Sequence, residues 1–295
     1  MTASDSNQLP LLRNMLETLR NRAEGTLFPV ACVDLGLEPP ERRWLEQHGV
    51  EILPVRHHFT LPQGYPNWHD GYLVQPFLRE ILPDWDIYLW IDADIWFQDG
   101  RAIAACLAGA QRDGFAIASE ATPDYRVQLW LQAWMTKHFI RGFGLLEGLW
   151  LSAQPHLNSG FYALRADAPH WEAWTQAFAE AIRRTGDGTP HGQFAMNQLV
   201  HGRLFGRGRM RATILEPWAN WICDRGVPMW NDEAGAFCEP RAPYRIISAL
   251  HLAGPGKRTT YRIRRTGGGS FETRILPGAG PTSSVKAPER VTVLA

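Results

Sequence analysis

Residues Ile87-Tyr88-Leu89-Trp90-Ile91 form an unbroken apolar run that ends on Asp92-Ala93-Asp94. Five consecutive apolar residues, rich in β-branched and aromatic types, read as a strand buried on both faces, as in a sheet covered by helices on either side. Such a strand has no room for charge, so the two carboxylates must lie past its carboxyl end. In open α/β sheets that edge is where ligands bind. Residues two apart on an extended chain point the same way, so Asp92 and Asp94 address one locus, and the small Ala93 leaves space beside it.

An Asp-x-Asp triplet has little weight alone, and Asp84-Trp85-Asp86 is a second one just upstream. That triplet follows Pro83 and precedes the strand, where a solvated turn accounts for it. Asp92 and Asp94 instead run into a further apolar stretch, Ile95-Trp96-Phe97. Plain solvation explains them poorly, and a metal or ligand role is expected.

Elsewhere the text alternates between helical and strand periods. Leu12, Met15, Leu16 and Leu19 share one face of a helix over 11–22, and residues 28–33 read as a strand. A helix over 40–48 leads to a strand at 50–55, a helix over 72–82 feeds the Ile87–Ile91 strand, and an Ala-rich helix over 101–111 precedes a strand at 115–119. Repeated strand-helix-strand order predicts a parallel sheet. An amphipathic, aromatic segment over 124–152 then interrupts it, forming either part of a substrate pocket or a helix packed on the sheet. A short strand at 161–164, helices over 168–184 and 191–201, and a strand over 244–250 follow. Residues 259–275 alternate and turn at Gly267-Gly268-Gly269, which predicts a β-hairpin. The Pro-, Gly- and Ser-containing text from 277 reads as a loose tail.

At 295 residues and 45% hydrophobic content, the chain can bury the core of one large α/β domain. Lys plus Arg equals Asp plus Glu at 30 each, so no overall field draws it to nucleic acid and any anion site must be local. Cys32, Cys106, Cys223 and Cys238 show neither close pairing nor zinc spacing, which suits burial in a reducing compartment. No stretch approaches the roughly 20 apolar residues of a membrane span, and the first residues lack a signal-peptide pattern, so a cytoplasmic protein is expected. Most of the 13 tryptophans fill the core; some offer apolar platforms for sugar rings.

Five segments occur in a telling order: Thr2-Ala3-Ser4-Asp5-Ser6-Asn7; Ile87 to Phe97; Leu157-Asn158-Ser159-Gly160-Phe161-Tyr162-Ala163-Leu164; Gln193-Phe194-Ala195-Met196-Asn197; and His251-Leu252-Ala253-Gly254-Pro255-Gly256-Lys257. Together, over residues 2–258, they resemble glycosyltransferase family 8 and its GT-A relatives. The resemblance implies an α/β fold of GT-A type, Rossmann-like, with a mostly parallel central sheet flanked by helices in residues 1–258. The hairpin at 259–276 is then a C-terminal extension and 277–295 a flexible tail. The implied activity is metal-dependent transfer of a hexose from a nucleotide-diphosphate sugar, UDP-hexose foremost, to an acceptor hydroxyl with retention.

The residues also make chemical sense in themselves. Mn2+ or Mg2+ takes an oxygen-rich octahedral shell, which two carboxylates, diphosphate oxygens and one imidazole complete. Asp92, Asp94 and His251 are the candidate ligands. Lys257 supplies a point charge for phosphate, and Gly254 lets backbone approach it closely. Asn158, Ser159 and Gly160, at the start of a strand, suit hydrogen bonds to sugar hydroxyls. By the resemblance Gln193 faces the reactive side of the sugar, while Thr2, Ala3, Asp5, Asn7 and Ala93 border the nucleotide. Asp92, Asp94, Gln193 and Lys257 are the catalytic candidates.

The chain also departs from the family. Gln8 stands near the position where the family commonly carries a Tyr that stacks on uracil, and Gln75 replaces a Lys. Gly192 replaces an Asp that holds donor hydroxyls, with Asp187 nearby in sequence. Lys257-Arg258-Thr259 replaces Lys-Pro-Trp. These leave open a protein that keeps the fold but only binds nucleotide sugars or glycans. A nucleotidyltransferase is disfavoured, since Thr2 to Asn7 contains no Gly-rich phosphate loop. Trp130 to Trp150 and the arginines Arg262, Arg264 and Arg265 either meet a lipid-linked sugar, another glycan or a protein, with peripheral membrane association, or serve packing and solubility.

Overall fold

The computed structural model describes residues 1–23, 28–55, 69–186, 191–203 and 210–281. It opens with β1 (Thr2–Ser4), α1 (Leu9–Arg22), β2 (Val30–Asp34), α2 (Pro39–Gln47) and β3 (Val50–Pro54). The three strands pair in parallel, as strand-helix-strand text requires. The helix expected over 72–82 divides into α3 (Asp70–Val74) and α4 (Leu78–Ile81), with a 3-10 turn at Gln75–Phe77 between them. Pro76 is the cause, because it has no N–H to donate and its ring crowds the preceding turn.

There follow β4 (Ile87–Ile91), β5 (Ile95–Phe97), α5 (Arg101–Asp113), β6 (Phe115–Ser119), α6 (Leu129–Phe143), α7 (Leu145–Ser152), β7 (Leu157–Arg165), α8 (His170–Thr185), α9 (His191–His201) and β8 (Thr213–Leu215). The strands β4, β7, β6 and β8 pair in that order, with β7 antiparallel to both its neighbours and β8 parallel to β6. The Met1 ammonium donates to Leu89 O (2.6 Å) and Ile91 N donates to Met1 O (2.9 Å), a parallel ladder that joins β1 to β4. The main sheet therefore runs β3-β2-β1-β4-β7-β6-β8, and only β7 is reversed. Its amino end thus meets the carboxyl ends of all the others.

Period-two alternation assigns the two faces. Phe161 and Ala163 of β7, with Ala116 and Ala118 of β6, join Leu12, Leu16, Ile103 and Cys106 from α1 and α5 in one core. Tyr162, Leu164, Phe115 and Ile117 join Trp171, Trp174, Phe178 and Phe194 from α8 and α9 in the other. The main sheet is covered on both sides, as its near-continuous apolar strands require.

The chain then builds smaller sheets from β9 (Trp221–Ile222), β10 (Met229–Asn231), β11 (Ala236–Cys238), β12 (Ala249–His251), β13 (Thr260–Arg264) and β14 (Ser270–Arg274). β5 leaves the main sheet to pair antiparallel with β12, which pairs in parallel with β9. β13 and β14 form the expected C-terminal hairpin. The strand expected over 244–250 is shorter and later, because Tyr244 closes a turn on Arg241 O with φ of 55°. Asp84, with φ of 75°, likewise sits in a turn ahead of β4. All four cysteines are buried and unpaired. Among the described residues no helix is long and apolar enough to cross a membrane. Asp187 and the tail from residue 282 lie outside the described residues.

Candidate active site

Asp92 is the last residue tied to the main sheet, its N–H donating to Gly160 O (2.8 Å). The chain turns there, Ile95 N donating to Asp92 O (3.1 Å), and enters β5. Trp90 lies two positions before Asp92, and its indole N–H donates to Asp92 Oδ1 (2.8 Å). Register brings in His251, which pairs with Ile95, while Leu252 N donates to Asp94 O (3.0 Å). His251 Nε2 stands 3.3 Å from Asp94 Oδ1 and 3.9 Å from Asp92 Oδ2. The turn at Gly254–Lys257 folds back so that Lys257 Nζ lies 3.1 Å from Asp94 Oδ2 and donates to Gln8 Oε1 (3.1 Å).

One ligand atom each from Asp92, Asp94 and His251 lies within 4.8 Å of the others. Bonds of about 2.1–2.2 Å to a divalent cation put opposite ligands roughly 4.3 Å apart, so the three fit one ion. The donor set of two carboxylates and an imidazole matches Mn2+ better than Mg2+, which prefers oxygen alone. Burial raises Asp92 to about 6, with Asp94 adding its negative charge. Burial works the same way on Asp94, but His251 and Lys257 outweigh it and hold that carboxyl well below the usual range. His251 is pulled down by burial and pushed up further by Asp94, for a net rise. Mutual stabilisation of opposite charges in a desolvated corner is the common cause.

Gly160 lies beneath this cluster. A Cβ there would fall 2.7 Å from both Asp92 Oδ2 and His251 Cε1, so no larger residue fits without moving them. Asn158 Oδ1 accepts from Gly160 N (2.9 Å) and Asn220 Nδ2 (2.9 Å), and its Nδ2 donates to Glu120 Oε1 (2.7 Å). Ser159 N and Oγ both donate to Gln193 Oε1 (3.0 and 2.9 Å). A backbone N–H can only donate, so the Gln193 oxygen must face Ser159 and its NH2 is the end available to a ligand. Asn197, one helical turn on, accepts from Leu157 N (2.8 Å) and donates to Leu157 O (3.1 Å), pinning α9 to β7.

These groups converge on a cleft of about 500 Å3 at the carboxyl edge of the main sheet. Ala3, Asp5, Asp92, Ala93, Asp94, Asn158, Ser159, Gln193, His251, Gly254 and Lys257 line it. Thr2 is fully buried in β1, and Asn7 points to Asp5 (3.5 Å); neither lines the cleft. Gln8 and Gln75, noted in sequence only as departures, belong to the wall, as do Tyr72 and Trp90. The Trp90 position could have been found from its i, i+2 relation to Asp92; Tyr72 carries no such signal. Gly192 is buried against the Phe178 ring.

No family model matches the chain, and no curated protein does. Among solved structures, the galactosyltransferase LgtC in complex with donor and acceptor sugar analogues is similar at a TM-score of 0.54 and 12% identity, over 86% of this chain and 87% of that one. An active-site Gln-to-Glu variant of LgtC gives 0.52 at 11% identity over 86% of each chain. The bifunctional glycosyltransferase WbbM gives 0.51 at 11% identity, over 86% of this chain but 45% of its own. The fold of this chain is that of the GT-A glycosyltransferases.

Proposed function

We propose that the protein transfers a hexose from a nucleotide-diphosphate sugar, UDP-hexose foremost, to an acceptor hydroxyl with retention of configuration, as a divergent relative of glycosyltransferase family 8. The observation that carries this reading is the Asp92–Asp94–His251 cluster with Lys257 against it, at the floor of a cleft on the carboxyl edge of the sheet. Asp92, Asp94 and His251 would hold Mn2+, or Mg2+, which supplies Lewis-acid stabilisation of the departing diphosphate. Lys257 adds a cation for the phosphate oxygens, and Ala3, Asp5 and Gly254 border the nucleotide. Ser159 fixes Gln193 so that its NH2 faces the sugar. LgtC also has an active-site glutamine.

In the reaction the anomeric C–O bond to phosphate breaks with its electron pair on the diphosphate, and the acceptor oxygen bonds to the anomeric carbon. The acceptor proton passes to the leaving phosphate oxygen. A double displacement would need a nucleophile beside the sugar, and an amide such as Gln193 is a poor one. Glu120 is held by Asn158, His156 and Arg225. Front-face attack is therefore favoured. The unpaired cysteines support a reducing, cytoplasmic setting. The test is release of nucleoside diphosphate from a panel of nucleotide sugars with Mn2+. Turnover is expected to fall 10²-fold or more, roughly, in Asp94→Ala. Full metal-dependent turnover in that variant would overturn the assignment, and binding without turnover in the wild type would make the protein a nucleotide-sugar binder.

A further inference from the structure

The α6–α7 hairpin buries one side and leaves the other bare. Met135, His138, Phe139 and Phe143 of α6 face inward, whereas Leu129, Trp130 and Trp134 are 77%, 70% and 40% exposed. On α7, Leu145, Leu146 and Leu149 are also exposed. The two helices are locked in close contact, since a Cβ on Gly148 would fall 2.5 Å from the Ile140 backbone. The apolar side chains thus stand on a rigid pair of helices. An apolar surface of this extent marks a contact with something.

Charge identifies the partner. From residue 125 to residue 155 the single acid is Glu147, and it is buried. Arg126, Lys137 and Arg141 in the same stretch are exposed. Exposed Leu and Trp, with cations and no exposed acid along the same stretch, form the pattern of a surface that lies in the headgroup region of an anionic bilayer. A second copy of this chain fits less well, because a two-fold contact sets the same patch against itself and would oppose cations with cations.

We infer that the α6–α7 face docks on an anionic lipid surface. Docking places a particular opening at the membrane. A groove of about 490 Å3 starts at Val127 and Leu129 on this face and is lined further in by Gln132, Glu120 and Arg225. Glu120 holds Asn158 of the cleft wall (2.7 Å), so the groove and the cleft lie on either side of that hydrogen-bonded pair. The presentation of a lipid-linked acceptor beside the cleft rests on the transferase reading. The docking does not.

The test is co-sedimentation with vesicles of phosphatidylcholine alone or mixed with phosphatidylglycerol, at low and high salt, with nucleotide-sugar hydrolysis and oligomeric state measured in parallel without vesicles. The protein should bind the anionic vesicles and release them as salt rises. Lys137→Gln with Arg141→Gln should weaken binding about five-fold per cation removed. Trp130→Ser with Leu146→Ser and Leu149→Ser should abolish it, leaving circular dichroism and hydrolysis in solution unchanged. If the wild type stays in the supernatant with anionic vesicles, the inference fails. It also fails if the Ser variant converts an oligomer to a monomer while vesicle binding persists, since the face would then be an interface between copies. Vesicle binding by a protein that hydrolyses no nucleotide sugar would leave the docking standing and remove the transferase reading.

Discussion

A methyl group is enough to test the proposed metal site. The Gly160→Ala side chain would fall 2.7 Å from Asp92 Oδ2 and from His251 Cε1, well inside contact distance, and neither neighbour is free to retreat. Asp92 is held by Trp90 (2.8 Å) and His251 lies in the β12 ladder. The expected result is a loss of Mn2+ affinity of about 10–100-fold, typical when a group supporting metal ligands is disturbed. Overpacking should cost about 1–3 kcal/mol of stability. Calorimetric titration with Mn2+ and denaturant unfolding measure the two, and unchanged affinity would show that the ligands relax independently. At this scale the sequence was informative where chemistry is local. Asp92, Asp94, His251 and Lys257 are separated by up to 165 residues yet meet within 4 Å in pairs; the first three stand out by residue type and strand-end position, and Lys257 by the glycines before it and the family resemblance. The reason for Gly160 was not legible, because it depends on three side chains meeting through space.

At the scale of elements, β7 shows how polar text can hide a strand. Asn158-Ser159-Gly160 has turn composition, yet all three residues are extended and belong to one nine-residue strand. Their polar groups are satisfied from outside it: by Gln193 on α9, by Asn220, and by Glu120 at the end of β6. No local rule reads such partners. Glu120 is the most exposed to test. It contacts His156 (3.1 Å), Arg225 and Asn158, and although burial pushes its carboxyl up, these partners bring it down to about 2. A carboxylate depressed on folding adds stability that is fully present above its ordinary value near 4.5 and is lost as pH falls through about 2. The Glu120→Gln variant should therefore be less stable than wild type by on the order of 3 kcal/mol above pH 4.5, with the difference closing toward pH 2. Urea unfolding of both proteins across that range measures it, and a pH-independent difference would mean that the ion pairs contribute nothing. The α6–α7 contact gives a second expectation. Gly148→Ala sets a Cβ 2.5 Å from the Ile140 backbone, which cannot swing aside as a side chain can. A stability loss of about 1–3 kcal/mol should follow in the same assay.

Across the whole molecule, the cleft is where the main sheet and the smaller sheets meet. β4 and β5 are one stretch of chain interrupted only by Asp92-Ala93-Asp94, and β5 carries the pairing with β12 that delivers His251. Strand-helix-strand text makes the parallel half of this architecture legible; β12 is legible only as a longer strand placed too early, and the short strands β9 to β11 are not, since two- and three-residue strands carry no periodicity. The junction has a thermodynamic consequence. With the proposed ligands contributed by both sheets, separate unfolding of the smaller sheets would dismantle the site, so an ion bound there would stabilise the two together. Mn2+ at a hundredfold excess over its Kd should add about 2.7 kcal/mol to the unfolding free energy. Because the folded and unfolded surfaces are unchanged, the denaturant midpoint should move while the slope does not. Unfolding should remain one transition when followed both by tryptophan fluorescence and by far-UV circular dichroism. EDTA should remove the gain, and Asp94→Ala should never show it. A gain confined to one of two resolved transitions would instead mean that the smaller sheets fold as a unit of their own and that the ion bridges nothing.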